Sequence, residues 1–277
     1  MISIAAFSDL VTLTRASGGT NWDANGVLKT AAIDTPRFDH DPVTGEARGL
    51  LVEAASTNLL VQSNNIAAGG WSEATTSGPV EQGRYLQADV AEAPDGTITA
   101  TKIVESTDLD EQRIFKAVSV VDGARYTFSK VLKAGERTEV QLRTTGRVGP
   151  VFDLLAGTMN ATSSAMDDQG IMSWGDGWYR CWFTTTPNGT TDVPQTVLIS
   201  GGASSYQGDG LSGLFAWGAQ YEPGWGPTSL IVTGASALTR AADNVVYAGD
   251  PAALGLTQGY TLLGVGRAPR RSDPDGS

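Results

Sequence analysis

The sequence predicts an all-β protein, a two-sheet antiparallel β-sandwich of jelly-roll type carrying an extended N-terminal segment. Three observations carry this expectation. The 277 residues include 34 glycines and 12 prolines but only 18% charged side chains, a balance that favours frequent turns over long amphipathic helices. No window repeats apolar residues at i, i+3, i+4 and i+7 for more than a few turns. From about residue 66 to 234, alternating runs recur at fairly even spacing, each closed by Gly, Pro or Asp. Many short strands without intervening helices bury their apolar faces most simply by stacking two sheets.

Residues 1–65 are broken by turn chemistry at Gly18-Gly19, Asn25-Gly26, Asp41-Pro42 and Thr44-Gly45. A segment this interrupted cannot supply its own core, so it is expected to wrap the sandwich, the strand Asn244 to Tyr247, or a partner chain. Residues 66–247 hold the sandwich. Its candidate strands are Thr99 to Val104, Arg113 to Val121, Tyr126 to Lys133, Glu139 to Thr144, Val151 to Leu155, Ile171 to Ser173, Trp178 to Thr185, Gln195 to Ser200 and Gly213 to Glu222. Residues 248–277 add a strand at Tyr260 to Val265 and a tail, RRSDPDGS, expected to be disordered.

Alternation assigns faces to these strands. In Trp178 to Thr185, Tyr179, Cys181 and Phe183 share the core face, and Trp178, Arg180 and Trp182 share the other. In Tyr126 to Lys133, Tyr126, Phe128 and Leu132 point inward; Lys130 interrupts them, which suggests an edge position. Val140 and Leu142 oppose Glu139, Gln141 and Arg143; Val197 and Ile199 oppose Thr196, Leu198 and Ser200. Phe215, Trp217, Ala219 and Tyr221 oppose Leu214, Ala216, Gly218, Gln220 and Glu222.

If the apolar sets form one core, the opposite sets bring Ser129, Gln141, Arg143, Arg180, Trp182 and Gln220 onto a polar sheet face. Such a face suits a sugar. A pyranose offers an apolar C–H face to an indole, and its hydroxyls pair with amide and guanidinium groups. Gln141, Arg143, Arg180, Trp182 and Gln220 are therefore the candidate carbohydrate-binding residues, against the plainer reading of a solvated face on which Arg180 lies over indole.

Other chemistries find little support. A net charge of −11 repels a phosphate backbone, which argues against nucleic acid. A Ser-His-Asp triad has only His40 to draw on, and His40 lies in the turn-forming run Asp39-His40-Asp41-Pro42, with no G-x-S-x-G elbow anywhere. Cys181, the single cysteine, is expected as a buried, inert thiol. No cofactor is expected; a structural calcium at Asp167-Asp168, Asp176 or Asp209 is left open, although none has EF-hand spacing and turn roles explain them. Paired carboxylates for glycoside hydrolysis also stay open, because separation in space is invisible in a sequence. No Sec signal and no membrane-spanning window is read.

Several phrases in order resemble a recurrent module of tailed-phage and gene-transfer-agent virion proteins, of head-spike or tail-fibre type. They include Asn25-Gly26-Val27-Leu28-Lys29, Pro36-Arg37-Phe38-Asp39, Gly49-Leu50-Leu51-Val52-Glu53, Thr57-Asn58-Leu59-Leu60 and Ala93-Pro94-Asp95-Gly96-Thr97. Tyr126-Thr127-Phe128-Ser129, Gly177-Trp178-Tyr179-Arg180-Cys181, Trp217-Gly218-Ala219-Gln220 and Thr239-Arg240-Ala241-Ala242-Asp243 continue the series, with Lys130 departing from an otherwise apolar position. The resemblance covers roughly residues 15 to 247. It implies a jelly roll similar to concanavalin-type lectins and carbohydrate-binding modules, displayed on the virion surface, touching other virion proteins of capsid or tail, and binding host surface polysaccharide without catalysis.

Two further expectations follow. Identical linked copies raise the avidity of a weak sugar site by roughly 10²–10⁴, so a homo-oligomer is expected, a trimer by analogy to fibres. The competing functions are a structural adaptor that attaches another fibre without glycan affinity and, third, a depolymerase.

Overall fold

A computed structural model describes residues 11–74 and 85–247. The expected strand at Tyr260 to Val265 and the expected disordered tail lie outside the described residues. Among those described, the only helical element is a 3-10 turn at Ile66–Ala68, and all remaining regular structure is strand.

Two six-stranded antiparallel sheets form the body. The first runs Thr158–Ala161, Val151–Asp153, Glu139–Arg143, Gln195–Ile199, Arg113–Phe115, Ser72–Ala74. The second runs Asp168–Ser173, Trp178–Thr185, Tyr126–Lys133, Gly213–Pro223, Ile98–Val104, Leu86–Glu92. Between them Phe128, Leu132, Cys181 and Phe183 of the second sheet meet Ile114, Val140, Leu142 and Leu198 of the first in one core. The alternation expected for Trp178–Thr185 holds: Leu132 pairs with Tyr179 and Phe128 with Phe183, all toward that core. Burial pushes the Cys181 thiol up, as a sulfhydryl in an apolar interior should behave.

Three side-chain assignments are corrected. Lys130 is not at an edge: its strand is third of six, and its side chain is fully buried between the sheets. The ammonium donates to Thr196 Oγ1 at 2.8 Å and lies 3.7 Å from the centre of the Trp71 ring, which lets an interior site hold it without a carboxylate. The face of Gln195–Ile199 is the reverse of that expected. Thr196 stands opposite both Leu142 and Ile114, so register turns Thr196 and Leu198 inward and Val197 outward.

The last long strand changes face midway. Leu214 and Ala216 join the inter-sheet core, Phe215 and Trp217 point outward, and after Gly218 the order inverts so that Ala219 and Tyr221 point inward. The pairing with Tyr126–Lys133 shifts register between Ser129 and Val131, the signature of a bulge. Gly218 has φ +58°, and a Cβ there would sit 2.9 Å from Val131 Cγ2.

The N-terminal segment covers the outer face of the second sheet. Gly19–Trp22 and Leu28–Ala31 form a hairpin whose Trp22 and Leu28 pack on Trp174, Trp178, Trp217 and Val131. Trp22 meets Trp174 edge-on at 4.9 Å. Val11–Thr14 pairs antiparallel with Asn244–Tyr247, and Ser56–Asn58 pairs with Leu238–Arg240. A buried ionic network locks this arrangement: Arg15 Nη1 reaches Asp243 at 2.9 Å, Arg37 binds both Asp243 and Glu53, and Arg240 Nη1 lies 2.9 Å from Glu53.

Candidate functional site

The five sequence-predicted residues do not share one face. Arg180, Trp182 and Gln220 belong to the second sheet; Gln141 and Arg143 belong to the first.

On the second sheet, the covering segments close over the predicted platform. Arg180 is 2% exposed, with its Nη2 donating to Ser129 Oγ at 2.9 Å and its Nη1 to the Thr228 carbonyl at 2.6 Å. Burial pushes its guanidinium down to about 10, with Glu222 and Glu53 opposing the fall. Gln220 is fully buried; its Oε1 accepts the Ile231 N–H at 2.7 Å and its Nε2 donates to Glu222 at 2.5 Å. Both side chains hold the segment containing Thr228 and Ile231 against the sheet rather than facing solvent. Trp182 is half-buried at the margin, its Nε1 donating to Asp168 at 3.1 Å and its ring lying over Gly170.

The outer face of the first sheet is different. An open cleft of about 560 Å³ lies there, within the size range of ligand sites. Its floor is set by register: Arg143 pairs with Gln195, and Gln195 pairs with Phe115, so alternation turns all three outward with Arg113 beside them. Its wall is the turn after Arg143, which brings Thr145, Arg147 and Val148 over the sheet. Gly146 has φ +74° at the turn tip, and Gly149 passes so close that a Cβ would sit 1.7 Å from the Leu142 carbonyl oxygen. Gln141, nearly buried, donates to the Gly149 carbonyl at 3.0 Å and so fastens the wall instead of lining the cleft.

The polar groups on the floor are fixed by one another. Gln195 Oε1 accepts from Arg113 Nη1 and from Arg143 Nε, both at 2.9 Å. Arg143 is also bidentate to Glu111, at 3.0 and 2.7 Å, and these bonds hold the Glu111 carboxyl below its ordinary range against the opposing effect of burial. Gln195 Nε2 reaches Thr145 Oγ1 at 3.4 Å, and the Arg113 guanidinium lies 5.6 Å from the Phe115 ring centre. Planar donors, an amide and a half-buried aromatic ring are thus presented together on adjacent strands.

No protein-family model and no curated protein matches this chain. The reading of the site therefore rests on its chemistry. Of the predicted residues, Arg143 lines the cleft and Gln141 supports it. Sequence reasoning passed over Glu111, Arg113, Phe115, Arg147 and Gln195. The signal for two of them was present in Arg113-Ile114-Phe115, where an apolar inward residue is flanked by a guanidinium and an aromatic ring.

The aspartates considered for calcium act in turns and surface bonds. Asp209 accepts the N–H groups of Leu211 and Ser212 and the Ser212 hydroxyl, which together hold its carboxyl low. Asp167 accepts from Arg125 and Thr186, and Asp168 from Trp182. Among the described residues no three His, Cys, Asp or Glu side chains gather as a metal-binding group.

Proposed function

We propose that the chain is a non-enzymatic, glycan-binding β-sandwich of jelly-roll type, serving as a phage or gene-transfer-agent fibre or spike that contacts host surface polysaccharide. Its ligand site is the cleft on the outer face of the first sheet. The observation that carries this reading is the pinning of Gln195 between Arg113 and Arg143 beside the Phe115 ring. Preorganised planar donors next to an aromatic face spend little ordering free energy on binding a sugar. Linked copies on a particle compensate for the weakness of one small site, which favours an oligomer.

The test is Phe115→Ala assayed for adsorption to host cells and for binding to a panel of their surface polysaccharides. Loss of a stacking ring at a small site should cost about 1–3 kcal/mol, roughly ten- to a hundredfold in affinity, with thermal melting little changed because Phe115 is only half-buried. Undiminished binding by the folded variant would remove the cleft from consideration. Wild-type protein that joins its particle yet binds no host polysaccharide would favour the adaptor role instead.

A further inference from the structure

We infer that the cleft selects a carboxylate-bearing glycan, a polysaccharide containing uronic or similar sugar acids, over neutral sugars. This rests on the glycan-binding reading above and goes further by naming the chemical class.

The charge inside the cleft runs against that of the chain. The whole protein carries −11, yet three arginines, Arg113, Arg143 and Arg147, line the cleft and no acidic residue does. Carboxylates near this lining are already engaged. Glu111 gives both oxygens to Arg143, and Asp192 behind the wall accepts the hydroxyls of Thr144 and Tyr221. That leaves three guanidinium groups at the cleft served, among the described residues, by one carboxylate, Glu111. Arg113 donates one Nη to the neutral Gln195 amide, and its Nε, buried and without a hydrogen-bond partner, makes only a long ion pair of 3.5 Å with the Glu111 carboxylate that Arg143 already holds. Arg147 donates to the carbonyls of Ala165 and Thr186, which carry no charge, and Asp167, which accepts the Thr186 hydroxyl, is paired with Arg125.

A guanidinium held this way prefers a planar two-oxygen anion, and a sugar carboxylate supplies one on a ring whose C–H face can rest on Phe115. The overall negative charge does not forbid this. At physiological ionic strength fields decay over about 8 Å, so groups in contact with the ligand outweigh distant ones.

Affinity electrophoresis of the intact protein through gels containing polygalacturonate, its carboxyl-reduced form, dextran or dextran sulfate tests the inference. Retardation by polygalacturonate at least tenfold stronger than by its carboxyl-reduced form or dextran is expected. Arg113→Gln should abolish that preference, and Arg113→Lys should keep part of it, with melting temperatures confirming that both variants fold. Equal retardation by the carboxyl-reduced polymer would overturn the acid selectivity while leaving glycan binding intact. Retardation by dextran sulfate equal to that by polygalacturonate would show a generic polyanion site. Retardation by none of the four, with Phe115→Ala also silent in host-cell adsorption, would remove both readings together.

Discussion

Arg15 and Asp243 are 228 positions apart in sequence and form a fully buried ion pair, Nη1 to Oδ1 at 2.9 Å. Arg37 joins the same carboxylate, and the Glu53 N–H donates to it at 3.0 Å. The N-terminal segment is thereby joined to the returning C-terminal part of the described chain by groups with no access to water. Its broken sequence needs such a device, because its short hairpins bury little apolar surface of their own.

Asp243→Asn should destabilise the protein by about 3–5 kcal/mol, since Arg15 would stay buried without its counter-charge and Arg37 would keep only Glu53, which it shares with Arg240. Urea unfolding measures this. A loss below about 1 kcal/mol would show that the network tolerates an uncompensated charge.

Acid should release the same clasp. Burial resists ionisation of Asp243, but the bonds from Arg15 and the Glu53 N–H, with the charge of Arg37, outweigh it and hold the carboxyl below the usual aspartate range. A carboxyl depressed on folding contributes stability that is full above the ordinary carboxylate range and is lost as pH falls through its lowered value. Melting temperature should therefore drop steeply on strong acidification, and less steeply in Asp243→Asn. Identical acid profiles for the two proteins would assign the drop to other groups.

Lys130→Met should be neutral or stabilising at pH 7, because a buried ammonium without a carboxylate costs more than a thioether of similar shape. Burial holds the Lys130 pKa well below that of ordinary lysine. Protonation then favours the unfolded chain, so wild-type stability rises as pH climbs from the lowered value toward about 10.4. Urea unfolding of both proteins at pH 7 and pH 9 should show this rise in wild type and a smaller one in the variant. Destabilisation by more than about 2 kcal/mol would mean that the contacts with Trp71 and Thr196 outweigh desolvation.

Gly170→Ala should cost about 1–3 kcal/mol, because a Cβ there would stand 2.3 Å from Trp182 Cζ2 and the Asp168 bond holds that indole in place. In a Trp182→Ala background the same change should cost less than about 0.5 kcal/mol. Additive effects in the double variant would place the strain elsewhere than in this contact.

The alternation of Trp178–Thr185 and of Glu139–Arg143 was readable directly, since side chains two apart share a face and Tyr179, Cys181, Phe183, Val140 and Leu142 form the sets that meet in the inter-sheet core. The all-β class followed in the same way from turn density and the lack of helical periodicity. The shortage of apolar surface between the many turns of residues 1–65 was legible; that Trp22 and Leu28 pack on the second sheet was not.

What alternation cannot supply is the partner on the far side of a sheet. Alternation reads Trp217 as a core residue and Arg180 as solvent-facing, yet both point away from the inter-sheet core and are covered by Trp22, Leu230 and Thr228, which arrive from distant parts of the chain. The face reversal at Gly218 is decided by a bulge that only pairing with Ser129 and Val131 reveals. Lys130 reads as an edge residue until Trp71 and Thr196 are brought to it from two other strands and loops. The cleft is of the same kind: Arg113, Arg143 and Gln195 are scattered over 83 positions in sequence and become one site only when their strands stand side by side. Within a regular strand, local sequence determined which residues share a face, because that is set by backbone geometry within a few residues, and it failed where a bulge interrupts the strand at Gly218. Tertiary structure decided which faces are covered and which side chains meet, because register and long-range contacts are set by the packing of the whole chain.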